Sequence, residues 1–273
     1  MEFIFIFVIG VFVGSFLNVL ADRLPRNESP IKGRSHCEKC KKTLKWFDLI
    51  PLLSFILLKG KCRYCHTRLS PYYLIVELTT GILFAFTAFF VLNGSQFLIS
   101  NFKFLINFQF LNFQMLASLT YYLFIMSCLI VIFFADLKYG IIPDKIVFPA
   151  IFVSFLYLIL NTNYLILPNL FSAVGACLFF LLLFLGTKGR GMGFGDVKFA
   201  FLMGLILGFP GIVISLYVAF LTGAIAGCIL ILWRKKRIFG TAIPFGPFLV
   251  IGTLVSIFFG NLIVQNFLKL VSL

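Results

Sequence analysis

A chain of 273 residues in which 61% of side chains are hydrophobic and 12% charged, with a mean hydropathy of +1.08, excludes a water-soluble globular protein and points to a polytopic membrane protein. The formal net charge of +14 would suggest a nucleic-acid partner in a soluble chain. Here the cations gather in a few loops between apolar runs, which is a topology pattern, and no nucleic-acid partner is expected.

A membrane-crossing helix needs about 20 apolar residues. Eight runs can be placed by that rule, at roughly 3–20, 73–92, 117–135, 144–160, 166–186, 196–209, 211–233 and 243–268, the sixth being short. The predicted class is therefore an all-α polytopic membrane protein with a small loop domain. The start Met1-Glu2-Phe3 has no basic flank and no small-residue cleavage site follows, so the first run is expected to stay in the protein. Twelve of the 23 Lys and Arg lie in 21–72, and nine more in 138–145, 188–198 and Arg234-Lys235-Lys236-Arg237. Only Lys103 and Lys269 remain for the other side. The positive-inside rule then makes the basic loops cytoplasmic and the N-terminus external, with Arg234 to Arg237 as a topology anchor.

The division that follows is a first span over 1–20, a cytoplasmic loop domain over 21–72 and a membrane-embedded domain over 73–273. The loop carries Cys37-Glu38-Lys39-Cys40 and Cys62-Arg63-Tyr64-Cys65, two C-x2-C pairs with 21 residues between them. Each pair can present two thiolates to one ion, and four thiolates close the tetrahedral shell of a structural Zn2+ site. Disulfides are the alternative, disfavoured in a reducing cytoplasm. His36 and His66 adjoin the pairs and could substitute as ligands. A cation-rich segment of this size has little core, so the metal supplies much of its folding energy. Between the pairs, Trp46 to Leu58 is apolar but too short to span and interrupted by Pro51, which suggests an interfacial segment.

Glu77 lies about a turn inside the second span, where an acid is costly. It is expected to pair with Arg68 or another loop cation, or to contribute to a ligand site. The segment 94–115, rich in Phe, Asn and Gln, reads as an outer loop. Cys128, Cys177 and Cys228 lie inside apolar runs and read as small hydrophobes.

Two aspartates carry the chemistry. Asp136 ends the third span in Phe133-Phe134-Ala135-Asp136, and Asp196 opens the sixth after Gly193-Phe194-Gly195. An ionised carboxylate beside hydrocarbon is expensive, so each is a functional-site candidate. The topology places both at the cytoplasmic face. If the helices pack side by side, the two acids share a proton, because like charges at close range do not both ionise cheaply. One protonated and one ionised acid can activate water and polarise a peptide carbonyl. The competing reading makes them interfacial acids that cap a helix or pair with Lys138 or Lys198. Asp144, after Pro143 at the start of the fourth span, suits a helix N-terminus and is read as structural or supportive.

Taken together these blocks resemble the type IV prepilin peptidases, a family of GxGD aspartic membrane proteases. The resemblance runs from Gly14-Ser15-Phe16-Leu17-Asn18-Val19 with Arg23-Leu24-Pro25, through both cysteine pairs, to Val76-Glu77-Leu78-Thr79-Thr80-Gly81. It continues with Asp136, Ile142-Pro143-Asp144 and Gly193-Phe194-Gly195-Asp196-Val197-Lys198, and ends at Ile243-Pro244-Phe245-Gly246-Pro247-Phe248. The resemblance implies an inner-membrane enzyme whose catalytic pair, Asp136 and Asp196, removes the basic leader from prepilins or pseudopilins. It also implies N-methylation of the new terminus with S-adenosylmethionine, and Asp144, Gly193, Gly195 and Glu77 as supporting residues. The chain has Glu38 where the family often has proline, and Phe194 where tyrosine is common. A Rossmann fingerprint is absent, since no strand precedes the glycines at 189–195. Two alternatives stand beside this reading: a GxGD protease without methylation, and a transporter with structural aspartates.

Overall fold

The computed structural model describes residues 2–30, 33, 35–37, 39–100, 108–161, 166–189, 191–233 and 244–271. The run Arg234–Arg237, Glu38 and Ile243 lie outside the described residues. The chain is almost entirely helical: α1 (Glu2–Arg23), a single 3-10 turn (Trp46–Leu49), α2 (Leu53–Leu57), α3 (Tyr72–Ser100), α4 (Phe108–Tyr139), α5 (Asp144–Leu160), α6 (Ile166–Gly186), α7 (Phe194–Trp233) and α8 (Gly246–Val271). Among the described residues the only β pairing is two isolated antiparallel bridges, His36 with Thr43 and Lys61 with Arg68.

Among the described residues six helices are at least 18 residues long and apolar enough to cross a membrane. α5 coincides with the expected run 144–160 and, at 17 residues, lies at the short end of membrane-crossing lengths. α7, 40 residues long, holds the expected runs 196–209 and 211–233 end to end. The join is not a continuous helix: Gly208 (φ 60°, ψ −172°) and Phe209 leave helical geometry ahead of Pro210. A left-handed φ is cheap only for glycine, and proline cannot donate to the preceding turn. The carbonyl of Leu205, ahead of the break, is taken up by a neighbouring helix, since Asn169 Nδ2 donates to Leu205 O at 2.9 Å. Just beyond the break, Ser256 Oγ of α8 donates to Gly211 O at 2.7 Å. The segment 94–115 is also corrected: α3 continues to Ser100 and α4 begins at Phe108, and 101–107 lie outside the described residues.

The chain forms two compact units, Met1–Val131 and Ile132–Leu273. In the first, α1 packs on α3 through glycines that leave no room for a side chain. A Cβ at Gly10 would stand 2.9 Å from Gly81 Cα, and one at Gly14 would stand 2.9 Å from Glu77 Cα. Small residues let apolar helices approach closely enough for dispersion to hold them together. In the second unit α7 is central and packs on α5, α6 and α8. Its buried stripe of Phe199, Leu202, Met203 and Leu205 fills the interior, with Leu205 packing on Leu158 of α5 and Ala173 of α6.

Gly204 faces α6 so closely that an added Cβ would run into the Ala173 backbone. Overpacking of this kind costs about 1–3 kcal/mol. Gly204→Leu is therefore expected to lower the apparent Tm in detergent, and an unchanged Tm would mean that α6 and α7 do not meet there.

Candidate active site and metal centre

Both aspartates belong to the second unit, and each is positioned by a helix end. Asp136 lies in the last turn of α4, which stops where the Gly140 amide donates to Asp136 O at 2.8 Å with Gly140 in the left-handed region (φ 65°). Such a glycine after the final turn is the usual helix stop. Asp196 is the third residue of α7 and reaches back to the residue before the helix: Gly193 N–H donates to Asp196 Oδ2 at 3.1 Å. This is the return half of a capping box, in which an acid at the third position satisfies an otherwise orphaned amide.

Asp136 accepts a comparable bond from elsewhere in the fold. Gly246, the first residue of α8, donates its N–H to Asp136 Oδ2 at 2.9 Å. A helix N-terminus carries partial positive charge and free amides, and a carboxylate there is favoured. The two acids are 5% and 6% exposed, and Asp136 lies within electrostatic reach of Asp196. Two buried carboxyl groups, each held by a helix-end amide, thus lie within electrostatic reach of one another in one unit.

Pairing of the dyad with Lys198 does not occur. Lys198 Nζ instead holds both oxygens of Asp144, at 2.7 and 2.8 Å, and lies over the rings of Phe148 and Phe194. Asp144 thereby ties the start of α5 to the start of α7. Gly195 explains its own identity by proximity, since a Cβ there would stand 3.0 Å from Ile142 Cβ. Gly193 is the amide donor to Asp196. Gly246 is the participant that sequence reasoning did not assign. Its signal was present in Pro244 and Pro247, which bracket a helix start, but its meeting with Asp136 spans 110 positions of chain.

The four loop cysteines converge in the first unit. The Sγ atoms of Cys37, Cys40, Cys62 and Cys65 all lie within 4.8 Å of one another, and Cys37 Sγ is 3.8 Å from Cys65 Sγ. A tetrahedral shell with Zn–S of about 2.3 Å has S···S edges of about 3.8 Å, so the donor set fits a zinc ion. Neither His36 nor His66 joins this group. None of the cysteines is in a disulfide.

The two halves of the site are copies of one local structure, and the shared geometry explains why four thiolates meet. Lys41 N–H donates to Cys37 O and Cys37 N–H to Lys42 O; likewise His66 N–H donates to Cys62 O and Cys62 N–H to Thr67 O. Lys41 and His66 both adopt left-handed φ, 56° and 54°. The bridge 36 with 43 recurs 25 residues later as 61 with 68. The Thr67 hydroxyl and amide hydrogen-bond the Cys65 thiol and bring it down to about 6, and amide bonding, chiefly from Cys40, also lowers Cys37. Metal ligation needs thiolates, and these contacts favour them at Cys37 and Cys65, whereas burial and the neighbouring thiols push Cys40 up to about 11.

Glu77 does not pair with Arg68. Its Oε2 accepts the Leu52 N–H at 2.8 Å, and it is also hydrogen-bonded to Ser15 of α1. The nearby loop ion pair is between Arg63 and Asp48, at 2.6 Å.

Residues 8–91 match the sequence model of the bacterial peptidase A24 N-terminal domain, and residues 123–228 match that of the type IV leader peptidase family. Along most of its length the chain is similar to proteins named prepilin leader peptidase/N-methyltransferase. The protein from Bacillus subtilis is 29% identical over 97% of each chain. That from Burkholderia pseudomallei is 28% identical over 96% of this chain and 86% of its own. That from Myxococcus xanthus is 30% identical over 84% of this chain and 63% of its own. No solved structure matches the chain.

Proposed function

The chain belongs to the type IV leader peptidase family, and from that premise we propose that it removes the basic leader from prepilins or pseudopilins and then methylates the new amino terminus. The observation that carries the peptidase half is that Asp136 and Asp196, two buried acids held by the amides of Gly246 and Gly193, lie within electrostatic reach of one another. In the reaction one carboxyl is ionised and one protonated. The ionised acid takes a proton from water as that water attacks the scissile carbonyl. The protonated acid donates a hydrogen bond to the carbonyl oxygen, and the leaving amine is protonated as the C–N bond breaks. No covalent intermediate is required. Asp144 acts on the site only through Lys198, as a brace between α5 and α7.

Methyl transfer moves a methyl group from the sulfonium of S-adenosylmethionine to the freed amine, with loss of a proton from nitrogen. No Rossmann cradle serves it among the described residues, where β structure amounts to two isolated bridges. Zinc in the Cys37, Cys40, Cys62 and Cys65 site is structural, because four protein thiolates leave no open position for a substrate. We place the enzyme in the inner membrane with its N-terminus outside, the zinc domain of 21–72 in the cytoplasm and the peptidase in 73–273. The concentration of Lys and Arg in 21–72 supports this topology.

The test is cleavage of a model prepilin by the purified protein in detergent with S-adenosylmethionine, read by intact mass. Loss of the leader together with an added methyl supports both activities; cleavage without the methyl leaves a peptidase alone. The same assay checks Gly246. A Cβ at that position would stand 2.5 Å from Asp136 Oδ2, so Gly246→Val must displace the carboxylate. A catalytic group moved by about 1 Å loses on the order of 100-fold in rate, and kcat is expected to fall by that order with KM little changed. Wild-type kcat in the variant would mean that Asp136 is not positioned by α8.

A further inference from the structure

We infer that Trp46–Leu57 is a membrane keel, an apolar element that lies in the headgroup layer of an anionic bilayer and fixes the four-cysteine module against the membrane surface. Trp46, Leu49, Leu53, Ile56 and Leu57 are 77%, 41%, 57%, 66% and 72% exposed. The 3-10 turn carries Trp46 and Leu49, and α2, beyond the bend at Leu52, carries Leu53, Ile56 and Leu57. Five large apolar side chains bared within twelve residues form a patch that water disfavours and a lipid interface accepts. Tryptophan in particular is enriched at that boundary.

The depth of the segment is set by a bond to a membrane-crossing helix. Leu52, in the bend between the 3-10 turn and α2, donates its N–H to Glu77 Oε2 at 2.8 Å. Glu77 is the sixth residue of α3, which begins at Tyr72, so at 1.5 Å per residue it lies about 7.5 Å along the helix axis. Interfacial helices bury their apolar faces about 5–10 Å into the headgroup and acyl boundary, which is the same level. Leu52 has φ 58°, a conformation that is costly for a non-glycine residue. The Glu77 carboxylate holds that bend, making Glu77 a positioning residue for the keel.

Charge selects the kind of lipid. Lys45 and Lys59 flank the keel and are exposed, as are Lys41, Lys42 and Lys61. Asp48 is the only acid within the keel; its side chain is 3% exposed and paired with Arg63. The outward charge is therefore positive, and cations beside an anionic lipid surface are attracted to it. Both ends of the loop are also anchored, since α1 ends at Arg23 and α3 starts at Tyr72, and both helices are long and apolar enough to cross the bilayer. A bilayer is thus the surface the keel always has beside it.

The test uses the full chain with Trp233→Phe, leaving Trp46 as the one tryptophan of the two, in nanodiscs of phosphatidylglycerol and phosphatidylcholine. With bromine on the upper acyl chain Trp46 emission should fall by about half, with little loss when bromine is near the bilayer centre. Lys45→Glu with Lys59→Glu should weaken this quenching. Leu53→Ser, Ile56→Ser and Leu57→Ser together should abolish it with bound zinc unchanged. Glu77→Ala should shift the quenching away from the upper-chain position. Trp46 quenched by aqueous acrylamide and indifferent to bromolipid would overturn the inference. So would shielding from both quenchers, which would assign the face to a protein surface such as a second copy or the substrate. These readings need no variant to fold beyond Trp233→Phe, so failure of the triple variant to bind zinc leaves the decision with the parent.

Discussion

Asp196→Asn and Asp136→Asn should each abolish leader cleavage, with at least about a 10²–10⁴-fold loss in rate, the range that a positioned acid or base supplies. Asparagine keeps the shape of the side chain and can still accept the Gly193 or Gly246 amide, so the fold should survive and the loss would be chemical. The two losses should not add. Once either acid is gone the proton-sharing pair no longer exists, and the double variant should be no slower than the worse single one. Cleavage rates from quantified mass spectra, with Tm as the control for folding, decide the matter. Undiminished cleavage by either variant would make these acids structural. Loss of activity together with a collapsed Tm would be explained by the helix-end bonds alone, and Asp196→Glu would then separate the two roles. Glutamate keeps the charge but moves the carboxyl by one methylene, so a folded and inactive variant would restore the catalytic reading.

Cys62→Ser with Cys65→Ser should remove the metal and unfold the loop module. Four thiolates within 4.8 Å of one another and a shell of few buried residues leave the ion as the principal cohesive element. Structural zinc in small modules contributes apparent binding energies of about 10–16 kcal/mol near neutral pH. One equivalent of zinc in the wild type, none in the double variant and new proteolytic cuts within 24–71 are the expected results. The helices of the second unit should keep their thermal transition, because their packing is internal to that unit. Retention of one zinc by the double variant would show that the four cysteines do not form the site. Zinc retained by His36→Ala and His66→Ala is expected as well, since neither histidine joins the cluster.

The legibility of these features differs residue by residue. The cysteine pairs were legible because C-x2-C geometry is local: the amide bonds from Lys41 and His66 back to Cys37 and Cys62 span four positions each. Asp136 and Asp196 were legible as exceptions, since charge beside hydrocarbon is costly and stands out against apolar neighbours. Lys198 was weighed as a partner for the aspartates and instead holds Asp144. The choice between two nearby acids depends on which side of α7 faces α5, and a nearly uniform apolar helix gives no amphipathic stripe to read. Gly208 and Pro210 signalled the break between the runs 196–209 and 211–233, but its partner Asn169, which takes up Leu205 O, lies on another helix. Glu77 followed this rule too: its cost was visible, and its partner, a backbone amide 25 residues earlier, was not.

By itself, then, the sequence determined the solvent the chain folds in and the helical class, and it singled out the thiolate set and the two acids as candidates, because each follows from transfer energies or contacts within a few residues. Tertiary structure alone decided that the first amide of α8 meets Asp136, that Lys198 serves Asp144, that Glu77 grips Leu52 and that Gly204 lies against Ala173. Each of these joins surfaces far apart in the chain. In a membrane, where the hydrophobic effect does not distinguish one apolar face from another, steric fit and single hydrogen bonds select which surfaces meet.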